Sequence, residues 1–161
     1  MVILVMGVAG SGKTTIGLQL AAALGWDFRD ADDFHPPLNV AKMAAGLPLD
    51  DRDRTPWLAA IRTHIDACLA RGEGAVVTCS ALKESYRQTL IGDPAQVKLV
   101  YLSGDPELIL SRLRERRGHF MKPTMLQSQL AALEPPANAF TVDVALPPDQ
   151  IVARIRRAFS L

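Results

Sequence analysis

Residues 7–14 read Gly7-Val8-Ala9-Gly10-Ser11-Gly12-Lys13-Thr14, which satisfies G-x-x-x-x-G-K-[ST]. Each fixed position has a chemical reason. The glycines let the backbone turn so that consecutive N–H groups point at phosphate oxygens, at the positive end of the helix that follows. Lys13 then reaches the β- and γ-phosphates, and the Thr14 hydroxyl coordinates Mg²⁺. The cradle predicted here runs from Gly7 to Thr15, with ATP and Mg²⁺ as its ligands. The carboxylates such a cradle needs stand in Asp30-Ala31-Asp32-Asp33, just after a short strand-like run. Extended geometry would put Asp30 and Asp32 on one side and Asp33 on the other. Asp30 is then expected to hold a metal-bound water. Asp32 is expected to orient and deprotonate an acceptor hydroxyl.

Four arginines, Arg112, Arg114, Arg116 and Arg117, precede Gly118-His119-Phe120-Met121-Lys122. Arg112 and Arg116 are four apart and share one helix face. The segment 112–122 is predicted as a lid whose Arg112 and Arg116 cover nucleotide phosphates and keep water out. Further cations, Arg54, Lys83 and Arg87, stand in separate loops or helix starts and can bind an acid group, while His35 and Ser80 can hydrogen-bond hydroxyls. The strings N-K-x-D and D-x-x-G of a GTPase do not occur, and where a motor ATPase ends an apolar strand in aspartate, Ala75–Cys79 runs into Ser80 and Val97–Leu102 into Ser103-Gly104.

The elements that must position these residues alternate between strand-like and helical patterns, the sequence form of a parallel α/β sheet. Strands are predicted at Val2–Met6, Trp26–Asp30, Ala75–Cys79, Val97–Leu102 and Phe140–Val144. Helices are predicted over Lys13–Leu24, Leu38–Ala45, Asp105–Arg117, Thr124–Leu133 and Asp149–Phe159. Another should begin at Thr55-Pro56, with Thr55 as its cap, and end at Gly72. Within it Trp57, Leu58, Ile61, Ile65, Cys68 and Leu69 recur at helical spacing and form one buried face.

A chain of 161 residues, 48% apolar and 22% charged, fits one domain over 1–161. Its net charge of +1 supplies no field for nucleic acid or a membrane surface. The thirteen arginines against five lysines suit anionic ligands. Cys68 and Cys79 lack metal or disulfide spacing and read as core thiols. The apolar opening is too short for a signal peptide, so a cytoplasmic protein is expected.

Several blocks together resemble the gluconate kinase (gluconokinase) family. They are the Gly7–Thr14 loop, Asp30-x-Asp32-x-x-His35-Pro36 and Asn39-x-x-Lys42-Met43-x-x-Gly46-x-Pro48-Leu49. With them go Asp51-x-Asp53-Arg54-x-Pro56-Trp57-Leu58 and Cys79-Ser80-Ala81-Leu82-Lys83-x-x-Tyr86-Arg87. Arg112-x-x-x-Arg116-x-Gly118-His119-Phe120 and Ser128-Gln129-x-x-x-Leu133-Glu134-Pro135 complete the likeness, which runs from about residue 3 to 145. Ala31 departs from it, standing where Gly is expected. The resemblance implies transfer of the ATP γ-phosphoryl group to the 6-hydroxyl of D-gluconate. It also implies a P-loop NTPase fold like shikimate and nucleoside monophosphate kinases, with a five-stranded parallel sheet and a small lid, often as a homodimer. On that basis Lys13, Asp32 and Arg116 are the expected catalytic residues, and Asp32, His35, Arg54, Ser80, Lys83 and Arg87 the expected gluconate-binding ones. Another small-molecule P-loop kinase, or an ATP-sensing module without an acceptor, are the alternatives that the residues leave open.

Overall fold

A computed structural model describes residues 1–116 and 123–161, with side chains omitted at 123 and 124. The predicted lid falls partly outside them: Arg112, Arg114 and Arg116 are described, whereas Arg117 and the rest of its tip are not.

Five parallel strands, β1 (Val2–Met6), β2 (Asp27–Asp30), β3 (Ala75–Cys79), β4 (Val97–Ser103) and β5 (Phe140–Asp143), form one sheet in the order β2-β3-β1-β4-β5. β1 sits in the middle, and all five of its residues are buried. Its alternation divides the core, as a pleated strand must. Val2, Leu4 and Met6 pack on one face against helices α3 (Asp51–Ala70) and α4 (Glu84–Ile91), to which they meet Trp57, Ile61, Ile65 and Leu90. Ile3 and Val5 pack on the other face, with Ile16 and Leu20 of α1 (Lys13–Leu24), Ile109 and Leu113 of α5 (Pro106–Glu115), and Ile151 and Ile155 of α7 (Pro148–Ala158). Burying each such side chain contributes about 1.5–3 kcal/mol. Two shorter helices, α2 (Pro37–Ala44) and α6 (Pro123–Ala132), complete the three layers.

Register sets the working edge. Met6 lies opposite both Cys79 and Tyr101, and Asp30 opposite Thr78, so the loops after β1, β2 and β3 leave the sheet side by side. The open α/β architecture binds ligands along that carboxyl edge.

Two expectations about local structure are corrected. α3 does not start at Thr55-Pro56. It starts at Asp51, because Asp50 and Asp53 form a reciprocal cap: Asp53 N–H donates to Asp50 Oδ1 at 2.8 Å and Asp50 N–H to Asp53 Oδ2 at 3.0 Å. Pro56 lies inside the helix, and the Thr55 hydroxyl donates to the Asp51 carbonyl at 3.0 Å. Arg54 thus projects from the first turn of a long, anchored helix. Similarly, β2 does not continue in extended form through Asp32. Ala31–Phe34 form a 3₁₀ turn capped by Asp30, whose Oδ1 accepts from Asp32 N–H at 3.0 Å. Ala31 fits this turn without strain, and its carbonyl accepts from Trp57 Nε1 at 2.7 Å.

Candidate active site

The P-loop takes its shape from residues without side chains. Gly10 and Gly12 hold φ of 79° and 90°, left-handed values that glycine adopts at no steric cost. A Cβ on Gly10 would also lie 2.6 Å from the Leu113 side chain, so α5 packs directly on the loop. That contact carries Arg112 and Arg116 to the nucleotide side, where they share a pocket with Gly10, Ser11, Gly12 and Thr15. Arg116 closes α5 in extended conformation, so the helix ends at Glu115 and not at Arg117 as expected.

Lys13 folds its ammonium back onto the Val8 carbonyl at 3.1 Å. Burial pulls its pKa down, while the nearby charges of Asp32 and Asp30 oppose that pull. The Thr14 hydroxyl donates to Asp30 Oδ2 at 3.2 Å. A hydroxyl and a carboxylate in contact beside a phosphate cradle are the hard oxygen donors that Mg²⁺ takes, with the rest of its shell left to water and phosphate. Thr14 and Asp30 would hold the ion there, and no group of three or more His, Cys, Asp or Glu among the described residues offers an alternative.

Asp32 faces the same mouth. Partial desolvation, reinforced by the charge of Asp30, raises its pKa above the ordinary carboxylate range. His35 Nε2 lies 4.0 Å from Asp32 Oδ1. The imidazole stacks flat on Trp57, with centroids 4.6 Å apart and planes 9° from parallel. Trp57 in turn lines a second pocket, together with Arg54, Ser80, Lys83, Tyr86 and Gln129. A path through His35 and Trp57 therefore joins Asp32 to a polar pocket next to the P-loop.

The cations of that pocket divide their duties. Lys83 pairs with Asp51 at 3.1 Å, and Tyr86 Oη donates to the same carboxylate. Asp53 pairs with Lys42 at 2.8 Å. Both aspartates next to Arg54 are therefore engaged elsewhere. Arg54 donates to Tyr86 Oη at 3.3 Å and, among the described residues, forms no ion pair. Counting Arg54, Lys83 and Asp51 leaves the pocket with a surplus positive charge.

Arg87 is corrected. It is 1% exposed and turned away from the pocket. Its Nη1 donates to the Ala81 and Leu82 carbonyls at 2.9 and 3.0 Å, and its Nη2 pairs with Glu84 at 2.7 Å. Ala81 has φ 44°, a left-handed conformation costly for a residue with a Cβ. Arg87 thus pins the strained loop that presents Ser80 and Lys83, with its guanidinium engaged by protein groups.

The two thiols are core residues, as expected: both are buried, and burial pushes Cys79 up to about 12. Sequence reasoning missed Asn39, Tyr86 and Gln129 as site residues, although each stands in a block of the family pattern. Asn39, 3% exposed, donates to the Asp53 carbonyl at 2.8 Å and faces His35 Nδ1 at 3.3 Å.

Comparison with known proteins accords with this geometry. A family model described as an AAA domain matches residues 2–136. A gluconokinase of Gluconobacter oxydans is 44% identical over 160 residues, covering 98% of this chain and 90% of that protein. The crystal structure of a gluconokinase from Sinorhizobium meliloti superposes with a TM-score of 0.83 at 43% identity, covering 98% of this chain and 94% of that one. Shikimate kinase from Aquifex aeolicus, at 17% identity and a TM-score of 0.61 over 99% of this chain and 96% of its own, shares the fold. With the phosphate cradle, the paired carboxylates and the cationic pocket all in place on a P-loop kinase fold, this chain belongs to the gluconokinase family.

Proposed function

We propose that the protein transfers the γ-phosphoryl group of ATP to the 6-hydroxyl of D-gluconate, giving 6-phosphogluconate and ADP. The observation that carries this reading is Arg54. Among the described residues it offers a guanidinium without a carboxylate partner, in a polar pocket beside the P-loop. Gluconate brings one carboxylate to match it and a row of hydroxyls for the neutral donors around it.

Phosphoryl transfer asks a protein for positioning and charge stabilisation, with little covalent help. The P-loop amides and Lys13 hold the β- and γ-phosphates. Thr14, with Asp30 through a water, would hold Mg²⁺, which would supply neutralising charge beside the phosphates. Arg54 and Lys83 fix the acid end of gluconate, and Ser80 and His35 bond its hydroxyls. Asp32 orients the 6-hydroxyl and accepts its proton as the new P–O bond forms. Arg116, with Arg112, stabilises the transferring group from the nucleotide side. A cytoplasmic location, where ATP is supplied, and a homodimeric assembly belong to the same proposal.

ADP release in a coupled assay tests the reading. Gluconate with ATP and Mg²⁺ is expected to turn over, and shikimate and nucleoside monophosphates are not. Turnover with one of those acceptors and not with gluconate reassigns the pocket. Tight ATP binding without turnover on any acceptor makes the protein a nucleotide sensor.

A further inference from the structure

Gln129 lies on α6, 120 residues along the chain from the P-loop, yet its Oε1 accepts from Ala9 N–H at 2.6 Å. That bond fixes the orientation of the side-chain amide by chemistry alone. A backbone N–H can only donate, so the atom facing it must be the carbonyl oxygen, and the NH₂ group must point elsewhere. Among the described residues Nε2 has no hydrogen-bond partner, and the side chain lines the pocket that also holds Arg54, Ser80 and Lys83.

Bonds beyond the C-terminus of α6 support this placement. Just beyond its C-terminus, Glu134 N–H donates to the Leu82 carbonyl at 2.9 Å, and Glu134 Oε2 accepts from Glu84 N–H at 2.6 Å. The helix is therefore tied to the Ser80–Lys83 loop on one side and to the P-loop on the other. Gly10, Ser11 and Gly12 face the nucleotide pocket, whereas Ala9 hands its N–H to a side chain of the acceptor pocket. Gln129 thus stands where the two half-sites meet. Arg54 and Lys83 hold the acid group, so the hydroxyl to be phosphorylated must lie toward the P-loop, which is the Gln129 side of the pocket.

We propose that Gln129 is a substrate-reading residue of this kinase: Oε1 anchors the P-loop at Ala9, and Nε2–H donates to an acceptor hydroxyl oxygen at the phosphoryl end of the pocket. The donor half rests on the gluconate reading above, and the anchor half does not.

Two variants separate the halves. Gln129→Glu keeps an acceptor for Ala9 N–H and removes the donor; Gln129→Ala removes both. Steady-state kinetics of Gln129→Glu should show a gluconate KM raised at least tenfold, the usual scale for one lost hydrogen bond in a desolvated site, and raised more than the ATP KM, which the added carboxylate also opposes. Gln129→Ala should raise the gluconate KM similarly. Amide hydrogen exchange should show Ala9 protected in wild type and in Gln129→Glu, and unprotected in Gln129→Ala, with both variants folded by circular dichroism. A gluconate KM within about twofold of wild type in both variants overturns the donor role. So does an ATP KM that rises as much as the gluconate KM for Gln129→Glu, which marks general charge repulsion and not a lost donor. Ala9 protection unchanged in Gln129→Ala overturns the anchor. Wild-type protein that leaves gluconate untouched overturns the acceptor reading and the donor half with it, while the Ala9 exchange still decides the anchor.

Discussion

His35 turns Nε2 toward Asp32 Oδ1 at 4.0 Å while its Nδ1 faces the amide nitrogen of Asn39 at 3.3 Å. The second contact decides the first. Asn39 Nδ2 must carry the hydrogens, because its other partner is the Asp53 carbonyl, which only accepts. Nδ1 of His35 therefore accepts. Burial lowers the His35 pKa, so the ring is neutral near pH 7 and its single proton sits on Nε2, aimed at Asp32 and the pocket mouth.

That tautomer is directly measurable. Nitrogen-15 NMR of the imidazole should show Nε2 protonated and Nδ1 bare at neutral pH. Asn39→Asp presents a carboxylate to Nδ1 instead, so the proton should move to Nδ1 and the His35 pKa should rise. A bare Nε2 in the wild type would contradict the geometry.

Asp32 as general base predicts the pH profile. A positioned base is worth about 10²–10⁴ in rate, so Asp32→Asn should lower kcat by that much with little change in ATP affinity. Asp33→Asn should stay within a few-fold of wild type, since in the 3₁₀ turn it is Asp32 that meets His35. The base works deprotonated, and desolvation first, then Asp30, raises its pKa. Activity should therefore fall with decreasing pH along a limb above the usual carboxylate range, and Asp30→Asn should move that limb to lower pH. A severe loss in Asp33→Asn with a mild one in Asp32→Asn would falsify the assignment.

The P-loop, β1 and the end of α1 were legible because their signals are local: a fixed spacing, a buried apolar run and a stop at Gly25. The start of α3 was misplaced because Thr55-Pro56 imitates a helix opening, while the stronger reciprocal cap of Asp50 and Asp53 uses residues that also read as a charged loop. Arg87 misled for a different reason. Lys83 and Arg87 stand four apart, which suggests one helix face, but Lys83 is the extended cap residue of α4 and Arg87 turns inward to carbonyls. The left-handed Ala81 that creates this need has no glycine or asparagine to announce it. Gln129 was invisible as a P-loop contact because nothing local encodes a pairing so distant in sequence.

Arg87 should be a stability residue. Arg87→Met leaves the Ala81 and Leu82 carbonyls without their donor, a loss of about 1–3 kcal/mol for a buried acceptor. In a chain of this size that is a Tm drop of roughly 2–4 °C per kcal/mol. The gluconate KM should rise as well, because the Ser80–Lys83 loop loosens. Unchanged Tm with a raised KM would instead place Arg87 on the substrate.

Lys13→Ala should abolish measurable phosphorylation while circular dichroism stays at wild type, because among the described residues Lys13 bonds only the Val8 carbonyl. Near wild-type turnover in a folded variant would remove the phosphate role from the loop.

Arg54 and Lys83 should separate cleanly, although both are cations of one pocket. Lys83 is already neutralised in large part by Asp51, whereas Arg54, among the described residues, forms no ion pair and donates to the Tyr86 hydroxyl. The gluconate carboxylate should therefore rely on Arg54. Arg54→Lys keeps the charge but replaces a planar fork, which can grip both carboxylate oxygens, with a point charge on a shorter reach. A charge-assisted bond is worth about 1.5–3 kcal/mol, so the gluconate KM should rise roughly tenfold to a hundredfold. The ATP KM should hold, since Arg54 lies in the acceptor pocket and not among the residues of the nucleotide side. Lys83→Met should raise the gluconate KM less, because it removes a cation that Asp51 already balances. Asp51→Asn in the same background of measurements should leave the Arg54 effect intact. If Arg54→Lys raised both KM values together, Arg54 would be supporting the fold of the site and not reading the acid group, and the surplus positive charge would have to be sought in Lys83.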